Sequence, residues 1–147
     1  MKLVLAFAAL ISLSQVACAQ PNYQDAKPLA QESKPGTAQC PLYFKTEDLC
    51  ANYDWVSKPT EDATGSFTLK FWKATDSSAA DPSLALKVVI WMPDMGHGSS
   101  PVTITKQAVG QYLVDRVFFS MRGDWQIRFQ LLNAKAVVEE QIADVSF

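Results

Sequence analysis

Residues 125–132 read WQIRFQLL, with Trp125, Ile127, Phe129 and Leu131 alternating against Gln126, Arg128 and Gln130. In an extended chain, successive side chains point to opposite faces. One face of this segment is therefore apolar and the other polar, the pattern of a strand with one side in a core. A helix would scatter the same residues around its circumference.

The same reading extends outward in both directions. Residues 66–72, SFTLKFW, set Phe67, Leu69 and Phe71 against Thr68, Lys70 and Trp72. Residues 83–92, SLALKVVIWM, put Leu84, Leu86, Val88, Ile90 and Met92 on one face. PVTIT at 101–105 pairs Val102 with Ile104, and QYLVDRVFF follows at 111–119. CANYDWVS at 50–57 reads as a first strand, and residues 135–147 fit either a strand or a short helix. The segments between them, KPTEDATG, TDSSAADPS, PDMGHGSSP, AVG and MRGD, are rich in turn-forming residues. Short alternating runs at this spacing, with no long helical pattern, predict an all-β chain. The expected architecture is an antiparallel, immunoglobulin-like β-sandwich of about seven strands.

The first 19 residues stand apart from this pattern. Lys2, the apolar run 3–13 and the small-residue region before Gln20 have the three parts of a secretory signal. The apolar run is too short to span a bilayer. Two release routes fit. Ala17-Cys18-Ala19 is an A-x-A cleavage site, while Val16-Ala17-Cys18 resembles the end of a lipobox in which Cys18 would be lipidated. Gln15 stands where a lipobox usually has an aliphatic residue. Residues 20–39 offer almost nothing to bury and read as a tether, so the folded domain is expected over 40–147. Export to the bacterial cell envelope follows, with the protein either free in the periplasm or held by a lipid anchor.

Either route leaves an even pair of cysteines, Cys40 and Cys50. In an oxidising compartment they are expected to form a disulfide. Closing so short a loop is worth about 2.5–3 kcal/mol in the chain-entropy model. Nine intervening residues do not match the C-x-x-C redox spacing. Without Lys2, the 12 remaining basic residues face 15 acidic ones. With that balance and no basic block, nucleic acid is not an expected partner, and a membrane would be met only through the anchor.

The remaining chemistry is concentrated in residues 91–100, WMPDMGHGSS. They hold the only histidine, His97, and two of the four methionines, Met92 and Met95. Pro93 and Asp94 favour a turn, and Gly96 and Gly98 permit unusual backbone angles. A strand ending at Met92 and reversing here would bring Met95 and His97 back beside it. Thioethers with imidazole select copper, particularly Cu(I), over the oxygen-seeking calcium and magnesium. One histidine excludes both a blue-copper centre and a two-histidine catalytic site. Met121 is a candidate fourth ligand, and Trp91 or Trp125 could cap the ion. The alternative is packing alone, with Met92 in phase with Val88 and Ile90 as core filler.

WMPDMGHGSSPV, then Gly110-x-Tyr112, then FSMRGDWQIRF resemble, in this order, the YtkA-like and FixH-like group of exported or membrane-anchored β-sandwich domains. That group carries an MPxMGHG segment, a G-x-Y step and an M-x-G-x-W segment, and the likeness spans residues 64–132. It implies copper handling, or assembly of copper enzymes in the envelope, with Met92, Met95, His97 and Met121 as ligands. The partner would be a copper enzyme under assembly or another envelope protein.

Two further readings compete. One is an envelope-tethered interaction module without metal, in which the methionines are core or contact surface. The other is an enzyme, which the residues disfavour: Asp94, His97, Ser99 and Ser100 crowd one turn, whereas a triad takes its members from separate elements. A zinc site of Cys40, Cys50 and His97 would require both thiols to stay reduced.

Overall fold

Residues 40–147 are described by a computed structural model. The expected signal sequence, the expected tether and Cys18 lie outside these residues. Nine strands follow in chain order: β1 (Leu42–Phe44), β2 (Leu49–Ser57), β3 (Gly65–Lys73), β4 (Ala85–Met92), β5 (His97–Gly98), β6 (Thr103–Ala108), β7 (Gln111–Val117), β8 (Asp124–Asn133) and β9 (Ala136–Ser146). They form two antiparallel sheets, β1-β2-β3-β7-β6 and β5-β4-β8-β9, packed as a sandwich. The expected architecture holds.

Alternation built it. Phe67, Leu69 and Phe71 of β3 are buried, as are Trp125, Ile127, Phe129 and Leu131 of β8. The two sets meet between the sheets, where the Phe67 and Phe129 rings pack edge to face with centroids 6.1 Å apart. Removing each such side chain from water stabilises the fold by about 1.5–3 kcal/mol. Tyr53 packs in the same layer, and burial raises its hydroxyl pKa.

The strand inventory differs from the expectation in three places. There are nine strands rather than about seven, because β1 and β5, with three and two residues, are too short to show a period. The segment 50–57 belongs to the second strand, since β1 precedes it. Residues 135–147 hold a strand and no helix, because β9 pairs with β8 along its length. Cys40 and Cys50 are joined by a disulfide, as expected, with Cα atoms 5.1 Å apart. Among the described residues, no helix is long and apolar enough to cross a membrane.

The two ends of the sandwich are built differently. At one end lie the loops 45–48, 74–84, 109–110 and 134–135, and carboxylates tie them together. Glu47 accepts hydrogen bonds from Ser83 and from the Leu84 N–H. Glu139 accepts from the Lys45 and Thr46 N–H groups, fastening β9 to the β1–β2 turn. Asp81 accepts from Lys106 Nζ at 2.6 Å, the Gly110 N–H at 2.9 Å and the Tyr112 hydroxyl at 2.8 Å. The opposite end carries the loops 58–64, 93–96 and 118–123 and has fewer such ties among the described residues.

The Asp81 contacts have a pH consequence. The Lys106 ammonium first, then Gly110 and Tyr112, hold its carboxyl down at about 2, and burial with the Asp81 contact pushes Tyr112 up to about 12. A carboxylate more acidic folded than unfolded stabilises the fold above its ordinary pKa of 3.8. That contribution fades as pH falls toward 2. Asp81→Asn should therefore lower the melting temperature at pH 6 and flatten its decline between pH 4 and pH 2. Parallel melting curves for the two proteins across that range would refute the assignment.

Candidate metal centre

At the less tied end, β4 stops at Met92 and the chain reverses through residues 93–96. The Gly96 N–H closes the turn by donating to the Met92 carbonyl at 3.0 Å and the Pro93 carbonyl at 3.2 Å. Gly96 has φ +64°, a left-handed angle that glycine adopts without strain. The two-residue β5 then runs back along β4, with Met92 opposite His97 and Trp91 opposite Gly98. Residues directly opposed in an antiparallel pair share a face. Met92 is 4% exposed and belongs to the core, so His97 stands beside it on the inner face.

Strand β8 completes this layer. Trp91 opposes Gln126, which sets Trp125 beside Met92 one step further toward the end of the sandwich. Trp125 is fully buried, and the His97 ring meets it nearly edge-on with centroids 6.0 Å apart. The indole N–H donates to the Met121 carbonyl at 3.0 Å, which fixes the ring and the loop before it together. Phe119 packs on Trp125 at 5.4 Å and Phe147 on Phe119 at 5.1 Å, extending the aromatic row.

Gly123 lies between Met121 and Trp125 with φ +141°. A Cβ there would come within 2.5 Å of the Met92 methyl carbon. The absent side chain is thus the space in which the thioether of Met92 ends. One segment supplies the hollow that takes the Met92 methyl, the ring that His97 meets, and the carbonyl that anchors that ring.

The other sequence-predicted residues are placed as follows. Met95 sits at the turn tip and is 61% exposed, and Met121 on the 118–123 loop is 43% exposed. Met121 lines a cavity of about 230 Å³ with Glu61, Phe119, Ser120, Arg122 and Phe147. Trp91 is not brought to the cluster. As the strand neighbour of Met92 it points to the opposite face, where the Arg128 guanidinium lies 5.1 Å from its ring centroid. Cys40 and Cys50 are consumed by their disulfide, which removes the zinc alternative. Sequence reasoning missed Gly123 and Phe119. The glycine was read only as a turn residue, and nothing local to Phe119 distinguishes it from any other strand-end aromatic.

With this geometry in place, the comparison with known families is direct: the model of the YtkA-like family matches residues 56–130. The chain belongs to the YtkA-like family. No curated protein matches it. The YtkA-like match runs from the end of β2 through most of β8 and takes in Met92, Met95, His97, Met121, Gly123 and Trp125. It leaves out β1, β9 and the disulfide-bonded Cys40 and Cys50.

The donor set defines which ion could fit. Among the described residues, no group of three or more His, Cys, Asp or Glu side chains could hold a metal. A site here would therefore depend on thioether sulfur, which suits a soft cation and not a hard one. His97 Nδ1 lies 3.3 Å from the Gly98 carbonyl. In the tautomer that donates there, Nε2 keeps its lone pair for a ligand.

Proposed function

We propose that this YtkA-like protein is an exported copper-binding protein of the bacterial cell envelope. It holds Cu(I) through Met92 and His97, with Met95 and Met121 as further ligands, for carriage, buffering or delivery to an envelope copper enzyme. The observation that carries this reading is the register of β4 and β5, which sets the thioether strand end opposite the only histidine. The MPxMGHG and M-x-G-x-W segments, shared in resemblance with FixH-like domains, supply the same residues. The donor set contains groups to hold a soft ion and no pair of groups to perform acid–base chemistry on a substrate.

The test is a Cu(I) competition titration of the purified protein against a coloured chelator. Wild type should bind one equivalent. His97→Ala should weaken binding at least tenfold, equivalent to about 1.4 kcal/mol. Met95→Leu keeps the bulk of the side chain and loses the thioether, so it should weaken binding less. No competition by the wild type would remove the copper reading. It would favour the interaction module instead, for which an exposed Met95 on a turn tip is an adaptable contact.

A further inference from the structure

The four candidate ligands differ sharply in their access to solvent. Met92 is 4% exposed, with its methyl in the Gly123 hollow, and His97 is half-buried against Trp125. Met95 and Met121 are 61% and 43% exposed and sit on two different loops of the same end. A Cβ built on Gly96, next to Met95, would meet no atom within 4 Å, so the turn tip stands in open space. Singly exposed apolar side chains are ordinary, and Val56 and Val109 are as exposed as Met95. What sets Met95 and Met121 apart is a thioether on each at the end that holds Met92 and His97.

Resting on the copper reading above, we infer that the cluster has two tiers with different tasks. Met92 and His97 retain the cargo, and Met95 and Met121 are the exchange ligands through which a partner takes it. The fold dictates this division. Met92 cannot leave its place without emptying the hollow at Gly123 and uncovering Trp125, whereas Met95 and Met121 can swing away into water.

The partner is a protein that presents soft donors of its own: thiolate, thioether or imidazole. Its first donor atom forms a bond to Cu(I) as the bond from Met95 or Met121 breaks. One lone pair replaces another, the copper stays Cu(I), and a departing thioether carries no proton. The cargo then passes through a ternary complex, still held by Met92 and His97. Only the last step opens the buried pair. A partner that must reach Met92 directly would have to displace core packing, a slow route for a delivery protein.

The experiment uses wild-type protein with ¹³C-methyl methionine, loaded with one equivalent of Cu(I) under anaerobic conditions. The Met92, Met95 and Met121 methyl signals are followed by NMR while a bidentate thioether chelator is added as acceptor. Loading should shift all three methyls. During the acceptor titration, the Met95 and Met121 signals should return to their free positions at an acceptor concentration at least tenfold below that which releases Met92. Simultaneous return of all three would overturn the two-tier inference while leaving the binding site intact. Loading that moves none of the methyls would instead overturn the copper reading on which the inference rests.

Discussion

Trp125→Ala should lower the unfolding free energy by about 3–5 kcal/mol, the range for deleting a large, fully buried aromatic side chain. Total stabilities of single domains are of order 5–15 kcal/mol, so this one change should remove a large share. The reason is the number of things the ring does at once. It fills the core between the sheets, supports His97, backs Phe119, and donates its N–H to the Met121 carbonyl. Trp125→Phe retains an aromatic ring and loses the donor, so it should cost distinctly less. Urea denaturation of the three proteins checks this. A cost for Trp125→Ala below about 1 kcal/mol would mean that the end of the sandwich collapses readily into the space. In that case Trp125 could not be what holds Met92 and His97 in place.

Gly110→Ala should be nearly as damaging for a different reason. Gly110 has φ +65°, and a Cβ there would lie 2.4 Å from the Phe71 carbonyl oxygen and 2.9 Å from the Ala80 nitrogen. Both obstacles are backbone atoms, which cannot swing aside as a side chain can. The substitution also strains the bond from the Phe71 N–H to the Gly110 carbonyl and the bond that the Gly110 N–H donates to Asp81. Left-handed alanine alone costs about 1–2 kcal/mol. Overpacking adds about 1–3 kcal/mol, for an expected total of about 2–5 kcal/mol. Gly96→Ala is the internal control, because Gly96 has φ +64° but open space where the Cβ would go. It should show only the left-handed cost. Equal destabilisation of the two variants in urea would refute the packing account of Gly110.

These two residues separate the quoted sequence segments by role. Gly110 and Tyr112 belong to the Asp81 cluster at the tied end, far along the strands from the turn at 93–96. Their task is architectural: one lets the β6–β7 turn approach β3, and the other bonds to the connection before β4. Met121, Gly123 and Trp125 belong to the end that carries the candidate ligands. Segments that look alike as motifs therefore do unlike work.

Much of this was legible in residue order alone. Alternation over 125–132, 66–72 and 83–92 decides which side chains face inward, because a strand has a strict period of two and each segment is long enough to display it. The same period put Met92 in the core and Trp91 on the other face, although the capping role considered for Trp91 did not apply this constraint. The disulfide between Cys40 and Cys50 was expected from an even count in a chain read as exported. Strands β1 and β5 could not be read, since three and two residues carry no period. The final strand was ambiguous because Val137 and Val138 are adjacent and break the alternation.

Sequence by itself thus determined the class of fold and the inward faces, which depend on neighbours along the chain, and named the candidate soft donors. Only the tertiary structure decided how those donors are grouped. It brought Gly123 under Met92 and Trp125 against His97, contacts that link residues some 30 positions apart. It also separated a buried pair of donors from an exposed pair. No local pattern encodes that separation, because exposure depends on what the rest of the chain packs over each side chain.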